Sequence, residues 1–238
     1  MKKKPSLCVA LDGSDRDWIR TLATMLADHV DWLKVGLEAF TAHGPSLVAE
    51  LSALGPRIFL DLKLHDIPAT VERAASNCAA HGAAMITVHA AGGGEMLAAA
   101  VRGAREGSSG AAPKVIAVTV LTSLDSSALA EIQIERTPSE LVNSWALLAH
   151  HAGLDGVVAS AHEAAALRRA FGPGFFIVTP GIRPLSSTTD DQRRVLSPAE
   201  AVMAGADLLV VGRPITRAED PVAAVTKIRD EMKRQEPV

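Results

Sequence analysis

The chain has 238 residues, of which 48% are hydrophobic and only 21% charged, so disorder is excluded and a substantial core can form. A net charge of −3 argues against general nucleic-acid binding; any phosphate must be held by a local group of residues. Cys8 and Cys78 lie in apolar patterns without CxxC spacing and read as buried, reduced thiols of a cytoplasmic protein, and neither a signal peptide nor a bilayer-length apolar run is expected.

Short apolar runs alternate with alanine-rich amphipathic stretches along the chain. Strands are predicted at 7–11, 32–35, 58–62, 85–88, 115–121, 156–159, 175–179 and 208–211. Helices are predicted near 16–27, 46–54, 71–81, 95–106, 138–152, 161–170, 198–204 and 221–234. Eight such pairs predict a (β/α)8 TIM barrel as a single domain over residues 1–238, with an open doubly wound sheet as the alternative, because periodicity does not reveal closure. The longest irregular connections are expected at 103–113 and 181–196.

A barrel would gather the polar residues at the strand ends onto one face, where α/β folds build their sites. Asp12 follows the first strand, either as a site group or as a cap for the next helix, although Ser14 and Asp15 are better placed to cap. Lys34 interrupts the second strand; it either snorkels from the barrel edge or extends a charged array inward. The third strand, in RIFLDLKLHDIPAT, puts Asp61 and Lys63 on one face and Leu60, Leu62 and Leu64 on the other. Pro68 suits a first helical turn, so a helix is expected to begin near Asp66. Asp61 and Lys63 could form a structural ion pair with Asp66 as a cap, yet two acids alternating with a lysine on an inward face favour a reaction centre.

Farther along, His89 and Gly92–Gly94 read as a tight turn before a helix rather than a phosphate loop. The histidines show neither HxH nor HExxH spacing, and no metal site is expected. Thr122 and Ser123 follow the fifth strand, and Ser160 reads as a helix N-cap. Gly181 and Arg183 follow the seventh strand, with Gln192 downstream in a polar loop of lid or binding-loop length. Gly212 and Arg213 close the eighth, where barrels commonly hold phosphate with glycine amides and a cation; a surface arginine after a turn glycine is the alternative.

VALD at Asp12, LKVG at Lys34, DLKLHDIPATV at 61–71, TPGIRP at 179–184, Gln192 and VVGRPI at Arg213 keep the order of motifs in one known family. The chain resembles orotidine 5′-phosphate decarboxylases of the bacterial type over almost its whole length. The resemblance implies decarboxylation of orotidine 5′-monophosphate to UMP by a homodimeric barrel that uses neither metal nor organic cofactor. It implies Lys63 as proton donor, with Asp61, Asp66 and Lys34 completing the catalytic array. It further implies substrate contacts from Asp12, Lys34, Ile67, Thr70, Thr122, Gly181, Arg183, Gln192, Gly212 and Arg213. Asp66, Ile67 and Thr70 would reach into the neighbouring subunit's site. The rivals are a related sugar-phosphate decarboxylase that uses Mg²⁺ on an enediolate, and a non-catalytic phosphate-binding module. Lys34 and the DIPAT and TPGIRP segments favour the first reading over the sugar-phosphate enzyme, and the intact Lys–Asp–Lys–Asp array argues against the binding module.

Overall fold

The structure, a computed structural model, describes residues 4–184 and 196–233. Eight parallel strands close into a barrel in sequence order: β1 (Ser6–Ala10), β2 (Trp32–Gly36), β3 (Arg57–Leu64), β4 (Met85–His89), β5 (Lys114–Val118), β6 (Gly156–Val158), β7 (Phe176–Thr179) and β8 (Leu208–Val211). The helices are α1 (Arg16–Leu26), α2 (Leu37–His43), α3 (Pro45–Ser52), α4 (Pro68–Ala80), α5 (Gly93–Glu106), α6 (Ser126–Glu131), α7 (Pro138–His151), α8 (Ala161–Phe171), α9 (Pro198–Met203), α10 (Arg213–Thr216) and α11 (Pro221–Lys233). The closed barrel settles the choice against the open sheet.

The strands read as nearly unbroken apolar runs because both of their faces are covered. Alternate residues divide between two cores. Cys8, Ala10, Trp32, Phe59, Met85, Ile116, Phe176, Val178, Leu208 and Val210 fill the barrel, while Leu7, Val9, Leu33, Val35, Ile58, Leu60 and Ile86 pack outward under the helices. Each fully buried side chain of this kind stabilises the fold by roughly 1.5–3 kcal/mol. Lys34 and Asp61 occupy inward positions above Trp32 and Phe59, and they are only 8% and 9% exposed.

At the N-terminal floor three aspartates repeat one device. Asp31 accepts the Leu7 N–H and pairs with Arg229, Asp155 accepts the Val115 N–H and pairs with Lys114, and Asp207 accepts the Ile177 N–H and pairs with Arg168. Each acid precedes one strand and terminates the ladder of its neighbour, so an orphan backbone donor and a cation are satisfied together. Arg168 also donates to the carbonyls of Gly172, Phe175 and Gly205.

The ladder between β3 and β4 lapses. Leu60 pairs with Ile86 and Leu64 with Val88, so β3 spends four steps where β4 spends two. That bulge falls on Asp61–Lys63, and Lys63 takes a left-handed backbone with φ 52°, a conformation uncommon for a residue with a Cβ.

Several element ends differ from expectation. β5 stops at Val118 rather than at 121: the Thr119 N–H makes the last bond to β6, at the Val158 carbonyl, and the Thr119 hydroxyl donates to the same oxygen. The stretch expected to be irregular from 103 is helical through Glu106. A longer connection follows β5 and carries α6, capped by Asp125. The short helices α2 and α10 are additional to the expected ones; each is too brief for a helical period to stand out. Helix α4 begins at Pro68, with Ile67 at its N-cap position and no side-chain cap, so Asp66 is not the capping residue. Likewise α1 is capped by Asp15, which leaves Asp12 outside the helix start, and Ser160 caps α8 as expected. α4 is held backbone to backbone against α5. A Cβ at Gly103 would lie 1.9 Å from the Glu72 carbonyl oxygen, so only glycine permits that approach.

Candidate active site

Side chains from β1, β2, β3 and β4 converge at the C-terminal mouth of the barrel. Lys34 Nζ donates to Asp12 Oδ1 at 2.9 Å and lies 3.7 Å from Asp61 Oδ2. Lys63 Nζ donates to that same Asp61 oxygen at 2.9 Å. The result is a line of alternating charge, Asp12–Lys34–Asp61–Lys63. Register explains how it forms. Ala10 is level with Lys34 and Gly36 with Asp61, so the long Lys34 side chain rises one layer to lie between the two acids. Gly36 makes room, since a Cβ there would come within 2.9 Å of both Asp12 Oδ1 and Lys34 Nζ.

Burial alone would raise the Asp61 carboxyl, but the Lys34 ammonium, then that of Lys63, and hydrogen bonds from Lys63 and Thr87 hold it below its ordinary range. Burial likewise opposes charge on Lys34, and Asp61 and then Asp12 reverse this, raising it above the ordinary lysine value. Both groups are therefore charged at neutral pH. The cost of burying them is offset by one another. The Cys8 thiol, inside the barrel, is pushed up by burial, and Cys78 is raised to about 11 for the same reason; both are unpaired thiols.

Lys34, Asp61 and Lys63 face a cavity of about 200 Å³ with Phe59, Val118, Val158, Val178 and Val210 among its apolar walls and Thr122 and Ser160 at its edge. Apolar walls exclude water and strengthen every electrostatic interaction inside. A wider cleft of about 610 Å³ lies at the ends of β1 and β8, lined by Asp12, Gly13, Ser14, Gly212, Arg213 and Arg217 among others. The Asp12–Lys34 pair joins the two spaces. Gly212 precedes α10, whose first residue is Arg213. Gly181, at φ 76°, needs the freedom of glycine and turns the chain into Ile182, which bridges to Leu196. The Arg183 N–H donates to the Leu196 carbonyl. Gln192 lies outside the described residues.

Asp66, Ile67 and Thr70 do not join this cluster within the chain. They lie on the turn into α4, where the Asp66 carboxylate accepts its neighbour Ile67's N–H at 2.6 Å and Ile67 is 66% exposed. His89 ends β4 with Nδ1 accepting from Ala91 and its ring stacked on His65 at 5.5 Å. Burial, then the His65 and Lys63 charges, lower its basicity. The Ala90–Gly92 turn after it and Gly93 at φ 83° match the tight turn read from the sequence.

Two contributors were missed in the sequence. Thr87, fully buried, accepts the Lys63 N–H and donates to Asp61 Oδ1, each at 2.9 Å. Its inward position on β4 follows from the same period-two logic that found Lys34. Gly36 was missed because its role lies in space left empty. Among the described residues no three His, Cys, Asp or Glu side chains converge in a way that could hold a metal ion, and no helix is long and apolar enough to cross a membrane.

Fold and site together define a (β/α)8 barrel enzyme with an acid–lysine centre on its second and third strands. The chain belongs to the orotidine 5′-phosphate decarboxylase / HUMPS family, whose model matches residues 5–228. A protein named orotidine 5′-phosphate decarboxylase from Anaeromyxobacter sp. (strain K) is 52% identical over 228 residues, covering 96% of this chain and 98% of that one. One of the same name from Moorella thermoacetica is 52% identical over 236 residues, covering 98% and 94%. The crystal structure of orotidine 5′-phosphate decarboxylase from Lactobacillus acidophilus superposes with a TM-score of 0.83 at 38% identity, covering 97% of this chain and 100% of that one.

Proposed function

We propose that the protein is a cytoplasmic enzyme that decarboxylates orotidine 5′-phosphate to UMP and CO₂ for pyrimidine synthesis, without metal or organic cofactor, and that it acts as a homodimer. The observation that carries this reading is the Lys63 ammonium, held by Asp61 at the edge of an apolar-walled cavity. In the reaction the bond from C6 to the carboxylate breaks and its electron pair stays on C6 in the plane of the ring. Lys63 Nζ stabilises that charge and then transfers a proton to C6, becoming a neutral amine that solvent reprotonates. Asp61 orients Lys63. Lys34 sits between two acids and keeps the line of four charges balanced, so the site accepts an anionic substrate.

Asp12 and Lys34 bind the ribose, and Thr122 contacts the pyrimidine. Gly181, Arg183, Gln192, Gly212 and Arg213 hold the phosphate, whose binding energy drives closure over the ring. The exposed Asp66 and Ile67, with the half-buried Thr70 in the first turn of α4, support a shared site in which these residues serve the partner subunit.

Loss of orotidylate's ultraviolet absorbance with purified protein, with and without EDTA, tests the reaction. Turnover that survives chelation supports the reading, whereas no loss of orotidylate absorbance, with or without Mg²⁺, returns the sugar-phosphate rival and the binding module. The shared site has its own test. Lys63→Ala and Asp66→Ala homodimers should each be nearly inactive, while exchanged subunits should recover roughly a quarter of wild-type activity, because half the dimers are mixed and each of those has one intact site. With exchange verified by a tag on one chain, no recovery would place Asp66 in its own subunit's site.

A further inference from the structure

We propose that Thr87 is a positioning residue for this reaction, its hydroxyl tying the Lys63 backbone to the Asp61 carboxylate so that the lysine ammonium stays aimed into the cavity. The inference rests on the reading of Lys63 as proton donor.

Thr87 occupies the gap in the β3–β4 ladder. Between the Leu60–Ile86 and Leu64–Val88 pairs β3 has no regular register with β4, and the Lys63 amide finds the Thr87 hydroxyl instead of a strand carbonyl. A hydroxyl oxygen that accepts from an amide must send its own proton elsewhere, and the acceptor here is Asp61 Oδ1. The order of donors is therefore fixed: Lys63 N–H to Thr87, Thr87 O–H to Asp61. With Oδ1 occupied, Oδ2 is turned toward the two ammonium groups of Lys63 and Lys34. The same hydroxyl holds a residue whose left-handed backbone is unfavourable by itself. Thr87 is 0% exposed, so water has no route to substitute for it. Another buried threonine, Thr119 after β5, spends its hydroxyl on the Val158 carbonyl instead.

The decisive comparison is Thr87→Val, which keeps the branched shape and removes the hydroxyl, against Thr87→Ser, which keeps the hydroxyl. Thr87→Val should lose at least about tenfold in kcat, with KM and UMP affinity within about twofold. Thr87→Ser should recover to within about threefold of wild type. If the valine variant does not fold, Thr87→Ala against Thr87→Ser isolates the same hydroxyl at equal loss of the methyl group, with the serine variant the faster of the two. Unchanged kcat in a folded variant without the hydroxyl, or equal losses in its presence and absence, would overturn the proposal. A crystal structure of Thr87→Val (or Thr87→Ala) separates this inference from the function on which it rests. Lys63 should leave its left-handed conformation and its contact with Asp61 whatever substrate the enzyme takes. Lys63 and Asp61 left in place would refute the positioning role even for an active decarboxylase.

Discussion

The two ends of the barrel use the same residue types to opposite effect. On the floor Asp31, Asp155 and Asp207 each accept a strand N–H and a cation, and they are coupled to the backbone that they terminate. At the mouth Asp12, Lys34, Asp61 and Lys63 bond mainly to one another beside a cavity. An ion pair anchored to backbone stabilises a fold, whereas one that faces a cavity keeps charge available for a ligand. Position relative to the strand ends therefore separates carboxylates tied to backbone from those that face a cavity, where composition cannot.

The sharpest break of this comparison is at Lys63. Lys63→Ala should cost at least about 10³-fold in kcat, since on the proposed mechanism the charge stabiliser and the proton donor go together, while UMP affinity and circular dichroism stay near wild type. Near-normal turnover by the folded variant would remove Lys63 from the chemistry. The floor should answer in the reverse sense. Arg168→Ala strips Asp207 and three carbonyls of their donor, and should lower the unfolding free energy by on the order of 3 kcal/mol with kcat preserved in the folded fraction. Urea denaturation read beside turnover checks both halves.

A smaller effect is expected at Arg213. Arg213→Ala should weaken UMP binding by about 1.5–3 kcal/mol but barely change binding of the nucleoside. Equal penalties for the two ligands would show that it does not hold phosphate.

The smallest effect is in pH dependence. Asp61 is depressed below its ordinary 3.8, so its contribution to stability is present above that value and lost as pH falls through the folded one. Lys34 is raised above its ordinary 10.5, so its contribution is present below that value and lost as pH rises through the folded one. The pair should give a stability plateau between those limits. Asp61→Asn should flatten the acid limb of unfolding free energy against pH relative to wild type, and superimposable limbs would contradict the assignment.

Much of the barrel was legible because its strands are short apolar runs between helical patterns, and charges inside such runs stand out. Lys34, Asp61 and Lys63 were visible for that reason. Thr87 was not, because threonine is an ordinary strand former and nothing local marks it as bonded across a bulge. The bulge itself comes from pairing between strands, which one strand's sequence does not encode. β5 was drawn too long since its apolar pattern outlasts its ladder: Val120 and Leu121 leave the sheet to line the cavity. A helix start near Asp66 is what Pro68 suggests, yet the chain is still extended at Ile67, whose ψ of 151° delays the helix.

The lapse between β3 and β4 has a consequence for how the barrel opens. Among the described residues this is the seam whose register shifts, and between its Leu60–Ile86 and Leu64–Val88 pairs the Lys63 amide rests on the Thr87 hydroxyl. Local opening of the bulge would separate Thr87 from Lys63 while the pairs on either side stay joined, so on the proposed mechanism activity would go while the barrel is still closed. Catalytic competence and global folding are thus separable in this barrel, and the activity of a heated sample should fade ahead of its helical signal.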